Sequence, residues 1–558
     1  MSHDTPYARI QPRELHARLA QPNEIAVLDV REQGEFFDRH LLFSSVAPLG
    51  RLGLVIDRLV PRRATPVVLV DNAGEYTSDA ATWLARFGYT NIAILDGGVS
   101  AWQAAGLEVF SGTNVVSKAF GEIIEHQLDT PNIDAVTLKA LQDRGADLVV
   151  LDSRPFDEFR RMSIPGGIDC PGAELVYRVG EVAPSPHTLV VVNCAGRTRS
   201  ILGAQSLVNA GIPNPVAALT GGSMAWLLEG FELEHWQVRH APRPASAQLA
   251  DARARAERVA LQSNVRVIDA ATLARFEAER DTRTLYRFDV RDPHEYAAGH
   301  APGWRNAPGG QLVQATDEYI GTRGARVVLT DEDCVQARIT ASWLTQLGGY
   351  EIYLYDDALD AAVETGAEPL IVLRDARVSI DWAQPSEVAD AGLPVIDVEN
   401  SLRFRDAHIE GAFFVAASAV GRHLRTLEEG ATVVLTSSDG VLASLVAQQV
   451  AQAASERGVR VRAVLGGTAR WKSLGLPLAS GDAGNLTGQV DRRYGAYDVP
   501  EHEAAERMRE YLQWELDLAG QLERSGGAGF DVRDFGHDTT RRSHAALTRL
   551  VSSLPASV

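Results

Sequence analysis

Cysteine is scarce in this chain: three residues, Cys170, Cys194 and Cys334, in 558. That number cannot build a disulfide framework, no CxxC pair occurs, and the three are too scattered for a zinc site of ordinary spacing. Long apolar runs are missing too, so no segment is sized to span a bilayer, and the first residues carry no apolar h-region. Basic charge is in deficit. Lys+Arg 54 against Asp+Glu 73 gives −19, which argues against nucleic acid or an anionic membrane as partner. Any anionic substrate must then be held by a local basic site. The expectation is a cytoplasmic protein, bacterial by its Ala/Arg-rich composition.

What the chain has is repetition. The stretches "VLDVREQGEF" (27–36), "VLDSRPFDEF" (150–159), "RFDVRDPHEY" (287–296) and "VIDVENSLRF" (395–404) share one pattern. Each is an apolar run ending in Asp, then a polar turn and an aromatic, as a buried strand entering a helix would read. A second strand follows in each: "PVVLVDNAG", "LVVVNCAGR", "RVVLTDEDC" and "TVVLTSSDG". A third closes in "ILDGGVSAW", "ALTGGSMAW", "YLYDDALDAA" and "VLGGTARW". Strands alternating with helices predict parallel βαβ units.

The expected class is therefore α/β, with four tandem domains, each a mainly parallel sheet flanked by helices, and a C-terminal helical extension. The domains are placed at 1–125, 126–239, 264–374 and 375–482. Residues 240–263 serve as a linker dividing the chain into halves, and 483–558 form the extension. In that extension Ala505, Met508, Leu512, Leu516, Ala519 and Leu522 fall at helical spacing, as for a helix packing back on the last domain. The polar tail beyond "SGGAG" is expected to be loosely ordered.

Aligned by the helix that follows, Cys194 faces Asp71, Asp331 and Ser437, so one repeat in four carries a thiol at the strand's C-terminal end. Open α/β sheets place ligands there. The turn "CAGRTR" and the helix starting near Ser200 would aim backbone N–H groups inward, a nest that binds anions and stabilises a thiolate. Arg197 and Arg199 should depress the thiol's pKa, and Gly196 permits the tight curvature. Cys194 is thus expected to be an exposed nucleophile able to carry a transferred group. Cys170 is the candidate for a resolving thiol, and Cys334 is expected to be inert in its acidic loop.

The Asp-x-Arg strand end, the Cys-x-x-x-x-Arg turn and the "GG…AW" close, all present in "LDSRPFDEF…SIPGG…NCAGRTRS…LTGGSMAW", resemble the rhodanese (thiosulfate sulfurtransferase) family. The resemblance covers about residues 8–478 as four rhodanese-like repeats, of which only the second keeps the cysteine. It implies sulfur transfer without cofactor or metal. Cys194 would take the outer sulfur of thiosulfate or a similar small anionic donor as a persulfide and pass it to cyanide or a thiol. Ala195, Gly196, Arg197, Thr198, Arg199 and Ser200 would form the persulfide cradle, with Arg197 facing the donor's anionic end and Arg178 as a further substrate contact. Arg154 would be structural.

Two rival readings remain open at this level. One is a non-enzymatic relay or binding platform that hands sulfur to an accepting protein, which the three cysteine-less repeats would suit. The other is a cysteine phosphatase, whose ring needs the arginine one residue later than Arg199. Acidic residues in the silent loops, Asp71, Glu75, Asp331, Glu332, Asp333 and Asp439, disfavour anion binding there and point to scaffolding. The repeats can pair within one chain or between the chains of a homodimer.

Overall fold

The structure, a computed structural model, describes residues 6–360, 363–493, 495–536 and 538–554. The four α/β repeats are present. In the second, the parallel sheet runs Asn132–Ile133, Val216–Leu219, Leu189–Asn193, Leu148–Asp152, Ile168–Asp169. The third and fourth follow the same order, with every pairing in the five-stranded sheets parallel. The first adds an antiparallel edge strand, Thr322–Arg323, to Ile25–Asp29. Central strands such as Leu189–Asn193 are buried along their whole length, as apolar runs covered by helices on both faces must be. Among the described residues no helix is long and apolar enough to cross a membrane.

Chain order does not set the association of the repeats. One compact unit comprises Met1–Thr113, Ile320–Arg323 and Leu370–Tyr494, and the other Asn114–Tyr319, Gly324–Pro369 and Gly495–Val558. The first repeat therefore pairs with the fourth, and the second with the third, within this one chain. The chain is therefore not divided into halves at 240–263, as the sequence had suggested. That segment is a helix, Ser246–Gln262, whose Ala252, Ala256, Val259 and Ala260 stripe is buried against the helices Leu175–Val182 and Gln336–Leu347 of the second and third repeats. Small side chains at helical spacing let it lie close to both.

Where the second and third repeats meet, a Cβ on Gly310 would lie 3.1 Å from the Gly172 nitrogen. Trp343 Nε1 donates to Ser206 Oγ at 2.8 Å across the same junction. The acidic loop of the third repeat is spent here as well. Asp333 accepts from Tyr177 at 2.5 Å and from Arg253 at 2.7 Å, and Glu332 pairs with Arg243 at 2.6 Å. In the other unit, the Gly50 N–H donates to Ser418 Oγ at 3.1 Å in the corresponding place.

The C-terminal extension departs from expectation in three respects. Its long helix, Glu501–Arg524, packs on the second repeat, against helices Val115–Leu128 and Gly222–Leu228, not on the fourth. Its buried face is Met508, Glu515, Leu518 and Leu522, while Leu516 is exposed. The stretch beyond "SGGAG" forms a second helix, Thr539–Ser552. Leu547 of that helix joins the second repeat's core, and Ser543 Oγ accepts the Val216 N–H at 2.9 Å.

Candidate active site

Cys194 follows the last residue of strand Leu189–Asn193. Asp71, Asp331 and Ser437 follow the equivalent strands of the other repeats, so the register read from the sequence is the structural one. Residues 195–197 turn into the helix Thr198–Asn209. The "GG" close underpins that turn. Gly222, at φ +56°, lies where any Cβ would strike the carbonyl oxygens of Cys194 and Gly196. Ser223 N–H donates to the Cys194 carbonyl at 2.9 Å and Met224 N–H to that of Ala195 at 3.0 Å. The sequence motif is thus a backbone clamp that only glycine fits.

The thiol is not exposed, as expected from sequence, but buried, at 2%. Its sulfur lies 3.6 Å from the Ser200 hydroxyl. Burial pushes the Cys194 pKa above the ordinary thiol value, against the expected depression. Arg199 and both the hydroxyl and the N–H of Ser200 pull the other way, while Glu515 adds to the rise. Desolvation of a fully buried thiolate outweighs the attraction of the one nearby cation here.

Both arginines of the turn are committed to carboxylates. Arg199 makes a two-pronged bridge to Glu158 at 2.8 and 2.9 Å. Arg197 does the same to Glu122 at 2.8 Å on each prong and also pairs with Glu125. Both glutamates lie on the helix Val115–Leu128, so Arg197 points to that helix, away from the role of meeting a donor's anionic end. Arg178 is also buried in a pair, with Glu174, and reaches Glu295 of the third repeat at 3.5 Å. It stands outside the cradle as part of the junction between repeats.

Arg154 closes on Asp152 through two hydrogen bonds of 2.8 Å and donates to the Met162 carbonyl at 2.6 Å. Arg31 with Asp29 and Arg291 with Asp289 repeat that arrangement. Cys170 is completely buried, and burial raises its thiol pKa strongly. It follows strand Ile168–Asp169, which lies two strands from Leu189–Asn193. At ~4.8 Å per strand the two backbones are about 10 Å apart, beyond disulfide reach without movement. Cys334 is raised to about 11 by burial, Asp356 and Asp331.

In the silent repeats the turn is filled from within. Asp71 accepts the N–H groups of Gly74 at 2.6 Å, Tyr76 at 2.8 Å and Thr77 at 3.1 Å. Asp331 accepts those of Val335 at 2.9 Å and Gln336 at 3.0 Å. Ser437 Oγ takes the Ala443 N–H at 3.2 Å. In each silent repeat the side chain aligned with Cys194 uses amides that an anion would need.

The extension supplies residues that sequence reading missed. Glu515, 1% exposed, accepts from Tyr511 at 2.9 Å and from Thr198 at 3.4 Å, both through Oε1. Tyr497 hydrogen-bonds Ser223 at 3.0 Å and approaches the Ala195 carbonyl at 3.5 Å. Met508, Tyr511 and Leu512 pack with Ala195 and Met224. No three His, Cys, Asp or Glu side chains among the described residues are grouped to hold a metal ion.

Comparison with known proteins agrees with the repeat structure. The rhodanese-like domain model matches residues 11–105, 134–229, 272–364 and 383–474. The crystal structure of a thiosulfate sulfurtransferase from Pseudomonas aeruginosa is 43% identical, with a TM-score of 0.89, covering 94% of this chain and 100% of that one. A Mycobacterium tuberculosis protein provisionally named a thiosulfate sulfurtransferase, found in two strains, is 28% identical over 181 residues, 30% of this chain. The match spans 63% of the length of those curated relatives. With all four repeats matched, the chain belongs to the rhodanese family.

Proposed function

We propose that the protein is a rhodanese-type sulfurtransferase whose single working centre is Cys194. One observation carries this reading. Of four equivalent strand ends, only that of the second repeat holds a thiol, and the other three hold a side chain that occupies its own turn. The names of the relatives support thiosulfate as donor. The Cys194 thiolate attacks the outer sulfur of thiosulfate, forming the new S–S bond as the donor's own S–S bond breaks and sulfite leaves. The persulfide then yields its outer sulfur to cyanide or a thiol, and the thiolate returns. Ser200, through its hydroxyl and N–H, favours the Cys194 thiolate. The remaining turn residues Ala195, Gly196, Arg197, Thr198 and Arg199 shape the cradle.

A sulfur buried to this degree suits a small donor and acceptor better than direct exchange with another protein's cysteine. Intact mass after thiosulfate treatment is the test. Wild type should gain one sulfur that cyanide removes, and Cys194→Ser should gain none; equal gain in both would exclude this centre.

A further inference from the structure

Arg197 and Arg199 are each matched by glutamate, so the cradle offers a donor no uncommitted guanidinium from its own turn. Onto this balanced site the C-terminal helix delivers one more carboxyl. Glu515 uses Oε1 for its two hydrogen bonds, while Oε2 is buried with no hydrogen-bond partner. That atom is aimed at the cysteine turn: a Cβ on Gly196 would lie 2.8 Å from it. A buried oxygen with no partner, set against the turn that follows Cys194, is a rare and costly arrangement that calls for a functional reason.

We propose that Glu515 is a specificity-determining residue of the Cys194 site, setting through its charge how negatively charged a sulfur donor the cradle admits. Ionised, it favours a neutral or singly charged sulfane donor over a dianion; carrying a proton on Oε2, it presents a hydrogen-bond donor and admits the dianion. The groups that face it are Tyr511 from its own helix, Lys118 and Glu122 from Val115–Leu128, and Arg197 and Thr198 from the turn. Lys118 lies over the rings of Tyr511 at 4.9 Å and Trp514 at 4.6 Å. Burial and Glu122 hold the Glu515 carboxyl above its ordinary range, opposed by Lys118, Tyr511 and Arg197.

The inference rests on the sulfurtransferase reading, but its test does not. In the full-length protein, Cys194 is alkylated with iodoacetamide, which is neutral, and with iodoacetate, which is an anion of similar size. The ratio of the two rates cancels the reactivity of the thiolate itself. Glu515→Gln should raise the iodoacetate-to-iodoacetamide ratio about tenfold at neutral pH, whereas Glu510→Gln, on the exposed face of the same helix, should leave it unchanged. A change below twofold in Glu515→Gln overturns the proposal. Should that variant fail to fold, the wild-type ratio is followed upward from the ordinary carboxylate range across every pH at which the protein stays folded. It should fall as Glu515 ionises, and a flat profile overturns the proposal. In turnover, Glu515→Gln should lower KM for thiosulfate more than for an uncharged dialkyl trisulfide, and equal effects on both donors count against it. A raised alkylation ratio in a protein that takes sulfur from no donor would sustain the charge gate and reject the sulfurtransferase reading instead.

Discussion

Gly222 brings its backbone so close to the carbonyl oxygen of Cys194 that no methyl group fits between them. Its positive φ of +56° excludes other residues on conformational grounds as well. The two glycines after strand Val216–Leu219 thus fix the curvature of the cysteine turn from below.

Gly222→Ala should therefore act twice. Left-handed strain in a non-glycine residue costs on the order of 1–3 kcal/mol, and the collision must also displace the Cys194 carbonyl. Gly230→Ala is the control, since Gly230 has φ +78° and nothing within 4 Å of its Cβ position. Denaturant unfolding of both variants should show the larger loss at 222. Sulfur loading should fall only there.

Cys194→Ser should abolish sulfur loading, and Cys334→Ser should leave it intact, because Cys334 sits on a loop whose amides are already bound to Asp331. Intact mass after thiosulfate reads both. Loss of comparable size in the two variants would contradict a single centre.

Arg199 is the strongest influence favouring the Cys194 thiolate. Arg199→Ala should shift the pH midpoint of Cys194 alkylation by iodoacetamide to the alkaline side and slow sulfur loading several-fold or more at neutral pH. Glu158 loses this bridge but is 42% exposed at its side chain, so the fold should tolerate the change. A midpoint that does not move would remove Arg199 from the chemistry.

The fourth repeat has Glu399 where the others carry the arginine that pairs with the strand-end aspartate. Asp397, buried without that partner, is pushed up to about 7. An unfolded aspartate titrates near ~3.9, so the native state binds this proton more tightly. Ionised Asp397 opposes folding above about pH 7, and the penalty fades as pH falls toward about 4. Asp397→Asn should stabilise the protein at pH 8 and do so less and less as the medium is acidified. A stability difference independent of pH would show that Asp397 ionises in the fold as freely as in water.

Some of this was legible in the residues and some was not. The strand runs, the glycine pairs and the register that sets Cys194 against Asp71, Asp331 and Ser437 follow from period and local turn chemistry, which a sequence displays directly. The ionic state of the site did not follow. Two arginines beside a cysteine read as free positive charge. Their partners are Glu158, 41 positions from Arg199, and Glu122 and Glu125, 75 and 72 from Arg197. Glu515 was invisible for a related reason: an apolar-stripe reading assigns a carboxylate to the solvent face and picked Leu516, which is exposed.

The sequence by itself determined the four α/β repeats, their family and the one thiol at a strand end, because each is written in residues close together along the chain. Tertiary structure alone decided that the second repeat pairs with the third, that the C-terminal helix covers the cysteine turn, and that the thiol is buried among paired charges. Burial and ion pairing depend on which distant surfaces meet, and that is set by packing across the whole chain rather than by any local pattern.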